Sequence, residues 1–225
     1  YNVEESLLVL EPLNLKNLIK RPKFKNFKQL FDFLNNDKLL KYVVIRSFFE
    51  LEYSTKDYGT KKDVDVIVND YYYFKSITGA RADIKYKTNM RENDNGYNSL
   101  NTINIGEVEI RFDIRYVGDN YFDSEWERDV LNRRINYQLK ENLNIFIPCL
   151  KDELYSLIYN IIIQKPNPEK NKHIPRVNEL LGNIKLEKLD FKDYNQVLEF
   201  LNKFLNENYY NYKKPFDKSV NFYLR

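Results

Sequence analysis

The run Asp63-Val64-Asp65-Val66-Ile67-Val68 sets two carboxylates two residues apart in a β-branched apolar segment. On a strand, side chains at that spacing leave the same face, with Cα atoms ~7 Å apart. Two acids on one face of an apolar strand are costly unless cations meet them. Their hard oxygens suit Mg²⁺ or Mn²⁺, which complete their shells with water and substrate phosphates. The alternative is that both acids sit at the strand's exposed start and pair with Lys61 and Lys62. A further acid, Asp113, lies where Val108, Ile110, Phe112 and Ile114 alternate with Glu109, Arg111, Asp113 and Arg115. A partner strand would bring Asp113 beside the first pair, putting the acids of a two-metal site on adjacent strands. Glu109 shares the face of Asp113 and is a rival or auxiliary ligand. That polar face could also simply meet solvent.

The elements that must position these acids follow from periodicity. Phe27, Leu30, Phe31 and Leu34 recur at helical spacing, predicting an opening helix that covers a sheet. Short strands are predicted at Tyr42 to Ile45 and Val64 to Val68, joined by a polar loop from Glu50 to Lys62 that contains Gly59. Ala82 to Lys87 alternates, an Asn-rich loop follows, and Ile103 to Tyr116 is the clearest strand. After Gly118 the pattern turns helical. Trp126, Val130, Leu131 and Ile135 share a face, and Leu150, Leu154, Leu157, Ile158, Ile161 and Ile162 form a second helix that Pro166 and Pro168 stop. A last helix is predicted over Val197 to Phe204. The expected class is α+β: a small mixed β-sheet with flanking helices over residues 1–140, then a helical region and extended tail over 141–225.

Composition narrows the functions. With 43% hydrophobic and 31% charged residues, the 225-residue chain should fold as one compact body. Its net charge of +3, from 36 basic and 33 acidic residues, supplies no domain-wide excess to neutralise nucleic-acid phosphates. No basic stripe interleaved with stacking aromatics is present, so a nucleic-acid partner is disfavoured. A single Cys149 excludes an internal disulfide and fits a reducing, cytoplasmic setting. The single His173 reads as a loop residue and gives a histidine-rich site nothing to draw on. No apolar run is long enough to span a bilayer. The first residue is not Met, which leaves room for a larger multidomain chain. Tyr71, Tyr72, Tyr73, Tyr209 and Tyr210 look exposed, as interface tyrosines are, or pack beneath loops.

The segment from Tyr42 to Asn69, with VVIRSFFEL followed by KDVDVIV, resembles the polymerase-β-type nucleotidyltransferase superfamily. There, a strand and turn precede an hDhDh-type strand, and a later strand, here Phe112-Asp113-Ile114, supplies another acid. It is also similar to bacterial and viral nucleotidyltransferase-like families, over roughly residues 40 to 165. The resemblance implies a nucleotidyl transfer from a nucleoside triphosphate, or a related reaction of a nucleotide sugar, to an unidentified hydroxyl acceptor. Asp63 and Asp65 would hold both metal ions and Asp113 the catalytic one. Arg46, Ser47 and Lys62 would hold phosphates, with Lys165 meeting an anionic substrate. Two departures stand out. Arg46-Ser47 replaces the usual Gly-Ser, and Asn160 and Gln164 stand where a family helix carries two histidines. Two other readings remain open: transfer of a phospho-substituent or sugar in glycan modification, and a degenerate, non-catalytic binding domain.

Overall fold

The computed structural model describes residues 22–52, 63–82, 100–165 and 168–213. Its first element is α1 (Phe27–Asn36), started by Asn26, whose side chain accepts from the Gln29 amide and satisfies one of the open N–H groups of the first turn. Strand β1 (Tyr42–Val44) runs into a 3-10 turn (Phe48–Glu52). Strand β2 (Asp63–Val68) precedes α2 (Tyr71–Thr78), which ends on Gly79 in the left-handed conformation. Then come β3 (Arg81–Ala82), β4 (Leu100–Ile105), β5 (Val108–Tyr116) and α3 (Ser124–Asn132). A hairpin of β6 (Ile135–Leu139) and β7 (Leu143–Ile147) leads to the helices α4 (Leu150–Ile162), α5 (Ile174–Asn183) and α6 (Tyr194–Glu207).

Among the described residues, five strands form one mixed sheet in the order β1-β2-β5-β4-β3. Only β2 and β5 run parallel, with Asp65 opposite Asp113. Both strands lie inside the sheet and are apolar on one face: Val64, Val66, Val68, Ile110, Phe112 and Ile114 enter a core with α1, α2 and β7. Each such side chain contributes roughly 1.5–3 kcal/mol on full burial. The alternate residues of β1 and β2, Val43, Ile45 and Ile67, enter a second core with α3, α4, α5 and α6. A slip of one residue would drive Asp63 and Asp65 into the first core, so the pattern that buries the valines also fixes the face of the acids. The mixed α+β class and its trailing helices agree with the sequence reading.

Several elements differ from that reading. The span Ile103 to Tyr116 is a β4–β5 hairpin and not one strand, because Gly106 turns the chain at φ +64°. Ile135 does not continue the Trp126 face. The helix ends at Asn132, and Ile135 opens β6, where it is exposed. Tyr71 and Tyr210 are buried, while Tyr72 and Tyr209 are exposed. Of the strand expected over Ala82 to Lys87, only Ala82 is described. Lys61, Lys62, Gly59, Pro166 and the tail beyond Lys213 lie outside the described residues. Among the described residues, no helix is long and apolar enough to cross a membrane.

Candidate metal centre

The sheet's second face carries Asp63, Asp65 and Asp113, each offering a carboxylate oxygen within 4.8 Å of the others. The parallel register causes this convergence: Asp65 and Asp113 are Cα partners, and Asp63 precedes Asp65 by one pleat. Asp63 and Asp65 are half-buried and Asp113 is buried. Glu109, the expected rival, is exposed, four residues back along β5 and outside the cluster.

Two buried arginines meet these acids. Arg46 Nη2 donates to Asp65 Oδ1 at 2.6 Å and Nη1 to the Tyr121 hydroxyl at 2.5 Å. Burial alone would lower the Arg46 pKa, but the Asp65 charge outweighs it and holds the guanidinium ionised. Arg115, two residues beyond Asp113, lies across it as a fork: Nη2 donates to Oδ2 at 3.2 Å, while Nε lies 3.1 Å from Oδ1 as an ion pair without hydrogen-bond geometry. The Tyr121 ring lies 4.4 Å from the Arg115 guanidinium and 5.6 Å from that of Arg46, so one aromatic face bridges both cations. Arg46, expected from the sequence to hold phosphate, is thus engaged by Asp65 and Tyr121 within the protein. Crowding of the acids, which would raise their mutual repulsion, is offset by these two cations.

Ser47 follows Arg46 at φ 53°, in the left-handed region. A glycine would adopt this freely, whereas a residue with a Cβ does so at roughly 1–2 kcal/mol. The strain sits in the turn beside Asp65, where such outliers cluster at functional sites.

The other wall is α4, which turns a polar stripe of Glu153, Ser156 and Asn160, all buried, towards the second core. Gln164, one turn on, receives a hydrogen bond from Asn160 and donates to the Tyr121 carbonyl. Beneath Arg115 lies an acid pair. Asp119 and Glu127 are both buried and hydrogen-bonded to each other; burial is the main cause raising both pKa values, and the Asp119 charge adds to the rise at Glu127. Glu127 also accepts from the Gly118 and Phe122 amides.

Of the residues expected at the site, the three acids and Arg46 are brought together. Ser47 lies in the adjoining turn, and Lys165 is exposed just past α4. Lys62 is outside the described residues. His173, read as a loop residue, stands at the start of α5 within electrostatic reach of Arg46, Lys165 and Asp65. The sequence reading also missed Arg115 and Tyr121. The spacing Asp113-x-Arg115 on a strand was the available signal for Arg115; nothing local marks Tyr121.

Fold and site thus define a mixed α/β protein with a carboxylate triad able to hold a divalent cation. The donor set fits a hard ion such as Mg²⁺ or Mn²⁺, since all three ligands are carboxylate oxygens. No family model matches the chain, and no curated protein matches it in sequence. Among solved structures it is similar to an antigenic nucleotidyltransferase-like protein from Paracoccidioides brasiliensis. The identity is 12%, 80% of this chain and 84% of that one are covered, and the TM-score of 0.44 is too low to define a shared fold.

Proposed function

We propose that the protein is a metal-dependent nucleotidyltransferase, moving a nucleotidyl group from a nucleoside triphosphate to a hydroxyl acceptor. The observation that carries this reading is the convergence of Asp63, Asp65 and Asp113 on one polar face between two apolar strands. Asp63 and Asp65 would hold the divalent ions together, with Asp113 binding the one nearest the acceptor. When bound, such ions neutralise phosphate charge and lower the acceptor hydroxyl's pKa. Arg46 fixes the rotamer of Asp65 and Arg115 that of Asp113, so the carboxylates are pre-positioned before ligand arrives. Buried Tyr121 and the apolar residues of α4 limit water around the arginine pairs. Ser47, in the turn after Arg46, and Lys165, just past α4, are the proposed phosphate contacts, along with Lys62.

A second reading is a degenerate binding domain, favoured by the fork of Arg115 on Asp113, which sets a cation against that carboxylate where a metal ion would bind. Calorimetry of a panel of nucleoside triphosphates and nucleotide sugars with Mg²⁺ or Mn²⁺, on the parent and on Asp63→Asn, separates the two. Metal-dependent binding that Asp63→Asn abolishes supports the enzyme reading. No nucleotide or nucleotide-sugar binding by the parent, with or without metal, supports the degenerate one.

A further inference from the structure

The chain's single histidine stands at the start of a helix whose first turn is docked near the turn that carries Arg46. His173 directly precedes α5, and its carbonyl accepts from the Val177 amide, whose side chain is buried in the second core. One turn along, Arg176 forks onto Glu153 of α4, with Nε donating to Oε1 at 2.7 Å and Nη2 to Oε2 at 2.9 Å. The same guanidinium lies 4.8 Å over the Phe49 ring. Phe49 belongs to the turn that follows Arg46 and Ser47, so the first turn of α5 is docked over the loop that carries Arg46.

The charged groups around the imidazole are Arg46 from the turn after β1, Lys165 from the end of α4, Lys172 beside it in sequence, and Asp65 from β2. Arg46 and Asp65 form a pair with each other at 2.6 Å. The start of α5 turns the positive end of its dipole here, having no side-chain cap and no acid in its first turn. Burial first, then Arg46 and Lys172, pull the His173 pKa down to about 4. The ring is therefore neutral at neutral pH and carries one N–H to donate.

We propose that His173 is a phosphate-contacting residue of this site, donating its ring N–H to the polyphosphate of a bound nucleoside triphosphate between Lys165 and Lys172. The inference rests on the nucleotidyltransferase reading and adds to it a substrate-positioning residue. A directional donor that brings no extra charge orients the polyphosphate at the uncapped helix start.

The test uses the full chain with Mg²⁺ and a non-hydrolysable nucleoside triphosphate, and inorganic triphosphate as a second probe. Because the chain has one histidine, its ring resonances are unambiguous by NMR. Binding of either probe should shift them. His173→Ala should weaken both probes about tenfold, the lower end for a hydrogen bond to a charged group. His173→Gln, which keeps an N–H donor, should recover most of that loss. The side chain caps nothing, so both variants should fold. Metal-dependent binding that is lost in Asp63→Asn but unchanged in His173→Ala would overturn this inference alone. No binding of either probe by the parent would overturn it together with the nucleotide reading.

Discussion

Replacing Arg115 by Met keeps an unbranched, though shorter, apolar side chain while deleting the guanidinium that pairs with Asp113. Both partners are only 7% exposed in their side chains, so the pair belongs to the buried class. Removing one partner of such a pair costs ~3–5 kcal/mol, because the other charge is left uncompensated. The same substitution removes the cation facing Tyr121 at 4.4 Å and Asp119 at 3.8 Å, which adds to the loss. For a domain of this size, each kcal/mol is worth ~2–4 °C, so Tm in chelator should fall by ~6–20 °C. The structure predicts one more effect. With Arg115 gone, a divalent cation becomes the nearest replacement charge for Asp113, so millimolar Mn²⁺ should raise Tm more in the variant than in the parent. Thermal unfolding of both proteins, with chelator and with Mn²⁺, gives all four values. An Arg115→Met protein as stable as the parent in chelator would refute the buried-pair argument. Equal Mn²⁺ increments in the two proteins would refute the claim that Arg115 and metal share Asp113.

Other outcomes follow from the same geometry. The Asp119–Glu127 pair holds a proton above the ordinary carboxylate range, so its stabilisation is complete below the unfolded pKa of a carboxylate and is lost as pH rises through the raised folded value. Asp119→Asn supplies a permanent donor to Glu127 and still accepts from the Tyr121 amide, so urea midpoints should fall less steeply with rising pH than in the parent; identical slopes would contradict this. Asp65→Asn, which charge repulsion alone would make neutral or stabilising, should instead lower stability by ~1–3 kcal/mol, because Arg46 loses its 2.6 Å counter-charge in a buried setting; a urea midpoint at or above the parent's would sink that argument. Gly106→Ala forces a left-handed φ of +64° and sets a Cβ 3.1 Å from the Lys25 carbonyl, so Tm should drop by ~2–8 °C, and no change would mean the β4–β5 turn relaxes freely.

The parts legible in the sequence were those whose periodicity is set by one dominant core. α1, β2, β5 and α4 each bury a regular apolar face, and the Asp63, Asp65 and Asp113 cluster follows from strands alone once β2 and β5 pair. The β6–β7 hairpin was missed because Ile135 and Tyr137 point outward, leaving only Leu139 and the alternate residues of β7 to mark a strand. α2 was hidden in a run of three tyrosines of which only Tyr71 is buried. The site's cationic half was less visible for a different reason. Arg46 reaches Asp65 across 19 residues and Tyr121 across 75, and His173 reaches the site only because α5 docks on α4 and on Phe49. Such contacts are products of tertiary packing, and residue type alone could not tell a phosphate fork from an internal salt bridge.

The central claim is that the three carboxylates form a divalent-cation site. Anomalous X-ray scattering from crystals grown in saturating Mn²⁺ tests it most directly. The expected result is an anomalous peak among Asp63, Asp65 and Asp113, about 2.1 Å from their oxygens, as for other small hard divalent ions. Its appearance should be accompanied by loosening of the Arg115 fork on Asp113. Absence of any peak there, with Arg46 still on Asp65 and Arg115 still on Asp113, would contradict the account.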